Sequence, residues 1–189
     1  LSILNAVAGA FAEQVPVMII SGAPRSAQRR AHALVHHLSR DYQLQYDLFK
    51  RVTVDAAMLS DPAAAPEAID RLISSCLYHK RPVYLEIPAD LTAASCEAPP
   101  ARICGQARHS SPAALQSCLA AAIARLGAAQ SPVVLTGVEL LRFGLGPSAL
   151  NLVESLELPY ATTVASKSVL PELHPQFMGL YQGALSRDY

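Results

Sequence analysis

The sequence has 189 residues, of which 51% are apolar, and its 15 basic and 15 acidic residues give a formal net charge of zero. A chain of this length forms one or two domains, and its composition supports a packed core rather than disorder. The balanced, interspersed charges argue against a nucleic-acid-binding face, and the apolar run at residues 15–20 is far shorter than the roughly 20 residues that cross a membrane.

The four cysteines lie at positions 76, 96, 104 and 118. They form no CxxC pair and have no histidine cluster at zinc spacing. This usage predicts a reduced, cytoplasmic protein with free thiols, and the sequence contains no signal-peptide pattern. Because the chain starts at Leu1, inside what reads as a helix, we expect it to be a fragment of a longer protein.

Helical and extended patterns alternate through the first half of the chain. Residues 15–20 form an apolar run that ends at a Ser-Gly-Ala-Pro break, which predicts a buried strand. Apolar positions at helical spacing predict a helix over residues 65–78, with Leu72 and Cys76 in the stripe that faces the core. The other predicted elements of this half are a helix at 2–13, a short helix at 31–38, a brief strand at 52–54 and a strand at 81–88.

A linker is predicted at residues 91–111, which are rich in Ala, Ser and Pro and lack an apolar period. A helix at 113–128 follows, with inward-facing apolar side chains at Leu115, Leu119, Ile123 and Leu126. The last predicted elements are a strand at 132–136, a helix at 148–156 and a strand at 159–164. Strands that alternate with helices favour parallel sheets. We therefore predict an α/β fold, with largely parallel sheets and flanking helices in two incomplete three-layer domains.

Two adjacent histidines, His36 and His37, shortly follow the predicted strand at 15–20. In open α/β sheets, ligands bind beyond the carboxyl ends of strands. Imidazole titrates near neutral pH and can move protons there, so acid–base work is one interpretation and a plain surface pair is the other. His32 and His36, at i, i+4 spacing, could share a metal ion, but zinc needs three or four ligands, so metal binding is the weaker interpretation.

Three further features are ambiguous. Glu86 lies in an otherwise apolar predicted strand, on the same face as Tyr84. Charged residues are rarely buried, so its position suggests a function, although ion pairing at a strand end is the commoner reason. Lys167 follows the last predicted strand and reads as a solvated loop lysine. Residues 143–147 match no phosphate-binding motif and predict a turn.

Several segments resemble, in order, the thiamine-diphosphate-dependent 2-keto acid decarboxylases, the family of pyruvate, indolepyruvate and phenylpyruvate decarboxylases. In the first half these segments are LSILNAVAGAFAEQVPVMIISGAP, ALVHHL, VTVDAAML, APEAIDRLI and RPVYLEIPADL. In the second half they are PVVLTGVEL and ATTVASKSVLPELHPQFMGLYQGALS. The HH pair is the specific signal, because it is typical of the decarboxylase branch and is generally lacking in the acetolactate-synthase branch.

The resemblance implies a domain organisation and a site. Residues 1–90 would be the later part of a pyrimidine-binding domain, and residues 112–189 the first part of a central domain. His36 and His37 match the paired histidines that approach the reacting carbon of thiamine diphosphate at a subunit interface. For the full-length enzyme, the resemblance also implies Mg²⁺, a 2-keto acid substrate and assembly as a homodimer or homotetramer.

The sequence also departs from the family pattern. The glutamate that activates the aminopyrimidine would fall before Leu1, and the Gly-Asp-Gly motif that holds magnesium and diphosphate is absent from the sequence. We therefore expect the isolated chain to lack the cofactor anchors and to be inactive. Two alternatives stay open: a fragment of an acetolactate-synthase-like carboligase, and a non-catalytic remnant of the same scaffold.

Overall fold

The computed structural model describes residues 1–36, 38–98 and 109–186. The chain divides into two compact units, Leu1–Ala107 and Arg108–Tyr189. Among the described residues, no helix combines the length and the apolar character needed to cross a membrane.

The first unit is built on a parallel three-stranded sheet. The strands are β1 (Met18–Ala23), β2 (Asp55–Met58) and β3 (Val83–Pro88), in the order β1-β3-β2. The helices are α1 (Leu4–Ala12), α2 (Ser26–Arg30), α3 (Leu44–Arg51) and α4 (Ala65–His79). The shared register places Ile19 beside Tyr84 and Ser21 beside Glu86, so the carboxyl ends of β1 and β3 lie at the same edge.

Helices cover both faces of this sheet. On one face, Val7 of α1 and Phe49 of α3 pack with Ile19 and Tyr84, and the Phe49 and Tyr84 rings stack with their centroids 4.5 Å apart. On the other face, α4 contributes side chains that include Leu72 to a second core cluster. The three layers follow from the alternation of side chains along each strand, and they confirm the predicted parallel α/β architecture.

The predicted helix at residues 31–38 is wrong. The helix in this region is α2, which ends at Arg30. His32 follows with a φ of 50°, a left-handed conformation that interrupts helical hydrogen bonding. The backbone at residues 33–35 is not helical. His36 therefore lies on a loop between α2 and α3, and His37 lies outside the described residues.

Two strand boundaries also shift from their predicted positions. β1 begins at Met18 and continues through Gly22 and Ala23, because these residues pair in register with the end of β3. The strand predicted at residues 52–54 begins instead at Asp55. Helix α3, which the sequence did not predict, runs to Arg51, and the Thr53 hydroxyl donates to the Phe49 carbonyl at its end.

The second unit contains a second parallel sheet. Its strands are β4 (Val134–Thr136), β5 (Tyr160–Thr163) and β6 (Phe177–Tyr181), in the order β4-β5-β6. Its helices are α5 (Pro112–Ala128), α6 (Glu139–Arg142) and α7 (Gly146–Ser155). Val153 of α7 packs against Tyr160 and Leu170 in a buried cluster. Strand β6 and helix α6 have no counterpart among the predicted elements.

Helix α5 corrects one prediction. The helix forms where it was predicted, but no residue within it is buried among the residues that the structure describes. An apolar stripe shows which face of a helix can be buried, and burial also needs a partner surface. The side chains predicted to face a core are instead exposed by 38–62%: Leu115, Leu119, Ile123 and Leu126.

The described cysteines are free thiols, and their environments differ. Cys96 and Cys118 are exposed, whereas Cys76 is a buried residue of α4 that packs against the sheet. Burial raises the pKa of the Cys76 thiol, so less of the reactive thiolate forms there. Cys104 lies outside the described residues. We expect a thiol reagent at neutral pH to modify Cys96 and Cys118 at least tenfold faster than Cys76, as measured by peptide mass mapping over time. Equal rates in the folded chain would contradict the packing around α4.

Candidate active site

A small cavity lies beyond the carboxyl ends of β1 and β3, with a volume of about 150 Å³. We call it the histidine cavity. Its lining includes the end of β1, the loop before α3, the start of α3 and one residue of β3. The lining residues include Gly22, His36, Asp41, Gln45 and Glu86. This is the edge at which ligands bind in open α/β sheets.

His36 reaches the cavity from the loop between α2 and α3, and its side chain is exposed. Two contacts organise this loop. The Tyr42 hydroxyl donates to the Ala33 carbonyl at 2.5 Å, which joins the two sides of the loop. Asp41 Oδ1 accepts hydrogen bonds from the backbone N–H groups of Gln43 and Leu44, each at 2.8 Å. These bonds satisfy donors at the start of α3 that the helix itself leaves free.

Glu86 lines the cavity from strand β3. Glu86 is only 3% exposed. The Tyr84 hydroxyl donates to Glu86 Oε2 at 2.6 Å, and Gln45 Nε2 donates both to the Tyr84 hydroxyl and to Ser21 Oγ, each at 2.9 Å. Burial, together with the hydrogen bond to Glu86, raises the pKa of Tyr84 well above its usual range. Tyr84 therefore keeps its proton and acts as a donor to the carboxylate at neutral pH.

Arg29 supplies positive charge beside this carboxylate. Its Nη1 lies 4.0 Å from Glu86 Oε1 and 2.7 Å from Met58 Sδ. The ion pair agrees with the sequence interpretation of Glu86 as a paired charge at a strand end. The hydrogen-bonded group of Tyr84, Gln45 and Ser21 was not foreseen. The alternation of Tyr84 and Glu86 on one strand face was its only signal in the sequence.

The other sequence candidates, Lys167 and residues 143–147, belong to the second unit. Lys167 Nζ pairs with Glu172 at 2.9 Å, and this hydrogen bond is the main cause that lowers the pKa of Glu172. Gly144 adopts a φ of 67°, as expected for the predicted turn at residues 143–147. Within the described ranges, the structure contains no cluster of three or more His, Cys, Asp or Glu side chains that could hold a metal ion.

Comparison with known proteins finds one matching family model and several similar decarboxylases. Residues 119–189 match the family described as thiamine pyrophosphate enzyme, central domain. The chain is 37% identical over 188 residues to the indole-3-pyruvate decarboxylase of Azospirillum brasilense, covering 96% of this chain and 33% of that protein. It is 31% identical over 191 residues to the pyruvate decarboxylase of Neurospora crassa, covering 100% of this chain and 34% of that protein.

A third relative extends the same pattern. The chain is 34% identical over 185 residues to a probable pyruvate decarboxylase of Schizosaccharomyces pombe, covering 96% of this chain and 32% of that protein. The chain thus spans about a third of the length of the curated relatives that it matches. Over that third, the chain is similar in sequence to pyruvate and indole-3-pyruvate decarboxylases, and its residues 119–189 match the central domain of the thiamine pyrophosphate enzymes.

Proposed function

We propose that the full-length protein containing this chain is a non-oxidative 2-keto acid decarboxylase, which converts a 2-keto acid to an aldehyde and carbon dioxide. The observation that carries the proposal is His36 in a cavity at the carboxyl edge of a parallel sheet. The similarity of the chain to pyruvate and indole-3-pyruvate decarboxylases supports it.

The proposed role of His36 and His37 is proton transfer. Loss of carbon dioxide from a 2-keto acid anion leaves the aldehyde carbon short of one proton, so each turnover consumes a proton. An imidazole can hold and release that proton near neutral pH. His36 lines the cavity, and we assign its partner role to His37 by the resemblance alone.

Thiamine diphosphate and Mg²⁺ belong to the proposal for the full-length enzyme, in which the cofactor supplies carbanion stabilisation. The described residues do not fit the whole group. A cavity of about 150 Å³ has the volume of about five liquid waters, and the described residues lack a cluster of three acidic or metal-binding side chains. This chain would therefore supply only part of the cofactor site.

The domain organisation and the setting are part of the same proposal. We assign residues 1–90 to a pyrimidine-binding domain, 91–111 to a linker and 112–189 to a central domain. We also propose a homodimer or homotetramer for the full-length enzyme and a cytoplasmic location. The free thiols of Cys76, Cys96 and Cys118 support that location.

A carboligase of the acetolactate-synthase type is the alternative activity. It would join two keto acid molecules, with loss of one carbon dioxide, to give an acetohydroxy acid, whereas the decarboxylase releases an aldehyde. The His36-His37 pair favours the decarboxylase. Incubation of the full-length enzyme with pyruvate, indolepyruvate and phenylpyruvate, followed by product identification, tests the proposal. Aldehyde as the main product is expected, and acetohydroxy acid as the main product would overturn it.

The isolated chain of 189 residues is expected to be inactive. Purified chain incubated with thiamine diphosphate, Mg²⁺ and phenylpyruvate should form no aldehyde above a protein-free control. The reason is that the resemblance places the cofactor anchors, which are the activating glutamate and the Gly-Asp-Gly motif, outside these 189 residues. Steady aldehyde production by the isolated chain would contradict this prediction. If the full-length protein is also inactive, the interpretation as a non-catalytic remnant of the scaffold gains support.

A further inference from the structure

The lining of the histidine cavity includes a buried carboxylate, Glu86, which is 3% exposed. The second carboxylate of the lining, Asp41, lies in the loop before α3. Burying a carboxylate is costly unless hydrogen bonds and opposite charge compensate it. The contacts of Glu86 therefore show which groups the carboxylate already binds and which of its lone pairs are left.

The hydrogen bonds around Glu86 all point toward it. Gln45 Nε2 donates to the Tyr84 hydroxyl, and the Tyr84 hydroxyl in turn donates to Glu86 Oε2. Because an amide N–H can only donate, the Tyr84 oxygen is an acceptor on that side and its proton is directed to Glu86. The chain of donors thus ends at Glu86 Oε2.

The carboxylate keeps acceptor capacity beyond these contacts. An ionised carboxyl group offers about four lone-pair sites, and Tyr84 takes one of them at Oε2. Arg29 Nη1 is 4.0 Å from Oε1, which is too long for a hydrogen bond. Arg29 therefore offsets part of the charge without occupying the acceptor, and it is not among the residues that line the cavity.

We propose that the histidine cavity is a donor-selective binding site, in which Glu86 receives a small planar cationic or amino-bearing group of the amidinium type. An amidinium presents two parallel N–H donors, and a carboxylate accepts such a pair in bidentate geometry. A carboxylate placed against Glu86 would meet its negative charge instead, so a 2-keto acid that approaches His36 would not direct its carboxylate to Glu86. The inference concerns this cavity alone and does not depend on the decarboxylase activity.

Three probes of nearly the same size and shape test the selectivity. Acetamidinium is a planar cation with paired N–H donors, acetamide is its neutral analogue, and acetate is its anionic analogue. Each is small enough for a cavity of about 150 Å³. Binding is measured on the full 189-residue chain by titration of the amide signals of Gly22 and Gln45 in heteronuclear NMR. Acetamidinium is expected to bind at least about tenfold more tightly than acetamide, with acetate weakest.

Variants locate the selectivity at Glu86. Glu86→Gln removes the charge with little change in shape and is expected to weaken acetamidinium binding at least about tenfold. Glu67→Gln is the matched control, because Glu67 is exposed at the start of α4 on the opposite face of the sheet, and it should leave binding unchanged. Tyr84→Phe retains the charge of Glu86 and should keep the preference for acetamidinium over acetate.

The outcomes are separable from folding and from catalysis. If Glu86→Gln fails to fold, as judged by its amide spectrum, the order of the three probes on the unsubstituted chain still decides. Shifts with acetamidinium no larger than those with acetate, including no shifts at all, would overturn the proposal. Unchanged acetamidinium affinity in folded Glu86→Gln would overturn it as well. None of these measurements uses turnover. A result that overturns the proposed amidinium site would therefore leave the proposed decarboxylase function untouched.

Discussion

Replacing Leu72 by Ala is expected to lower the free energy of unfolding of the first unit by about 3 kcal/mol. Leu72 is 0% exposed and packs in the cluster that joins α4 to β2 and β3. Truncation removes buried apolar surface and leaves a cavity, because the surrounding strands and helix relax only partly. The measurement is a urea titration followed by the amide signals of β3, so that the first unit is observed separately from the second.

Leu77→Ala is the control for this experiment. Leu77 lies on the same helix but is 40% exposed, so its truncation should cost less than about 1 kcal/mol. The difference between the two variants isolates burial from helix propensity, since both replace Leu by Ala in α4. Equal destabilisation by the two substitutions would contradict the packing of α4 against the sheet.

Replacing His36 by Ala in the full-length enzyme is expected to lower kcat by about 100- to 10,000-fold, the range in which a positioned acid–base group acts. The proposed decarboxylation would consume a proton in each turnover, and His36 lies in the cavity at the carboxyl edge of β1 and β3. KM should change much less than kcat, because the imidazole acts in proton transfer rather than in ground-state binding. Steady-state kinetics with the preferred 2-keto acid measures both constants.

His109→Ala provides the matched control, because His109 is an exposed histidine outside the helices and strands. Its replacement removes the same side chain without touching the cavity, so kcat should stay within about twofold of the unsubstituted enzyme. A loss of activity in His109→Ala equal to that in His36→Ala would show that the assay reports general damage rather than a role of the cavity.

Local patterns predicted the regular elements best where one face of the element is buried. The stripe on α4 is the clearest case, since Leu72 and Cys76 are buried as the helical spacing indicates. Strand ends depend instead on partners that are distant in sequence. Gly22 and Ala23 read as a turn, yet they extend β1 because Ile87 and Pro88 pair with them.

Periodicity also has a limit that α5 illustrates. Leu115, Leu119 and Ile123 lie at helical spacing, and the helix forms as expected. Their exposure shows that an apolar stripe predicts a helix more securely than it predicts the surface that covers it. The covering surface is a tertiary property, and no local pattern encodes it.

The candidate site also has one part that the sequence predicted and one part that it did not. The position of His36 beyond a strand end was predictable, because chain order places it there and parallel sheets bind ligands at that edge. The contacts of Glu86 were not, because Gln45 and Tyr84 are separated by 39 residues in sequence and meet only after α3 packs on β3. Buried hydrogen-bond networks of this kind are tertiary features that spacing does not reveal.

The most direct test of the central claim is the kcat of full-length His36→Ala with increasing concentrations of added imidazole. The claim is that the imidazole of His36 transfers a proton within the histidine cavity. We predict a low kcat without imidazole and a saturable rise as free imidazole enters the space left by the side chain, with no such rise in His109→Ala. A kcat of His36→Ala equal to that of the unsubstituted enzyme in the absence of imidazole would contradict the claim.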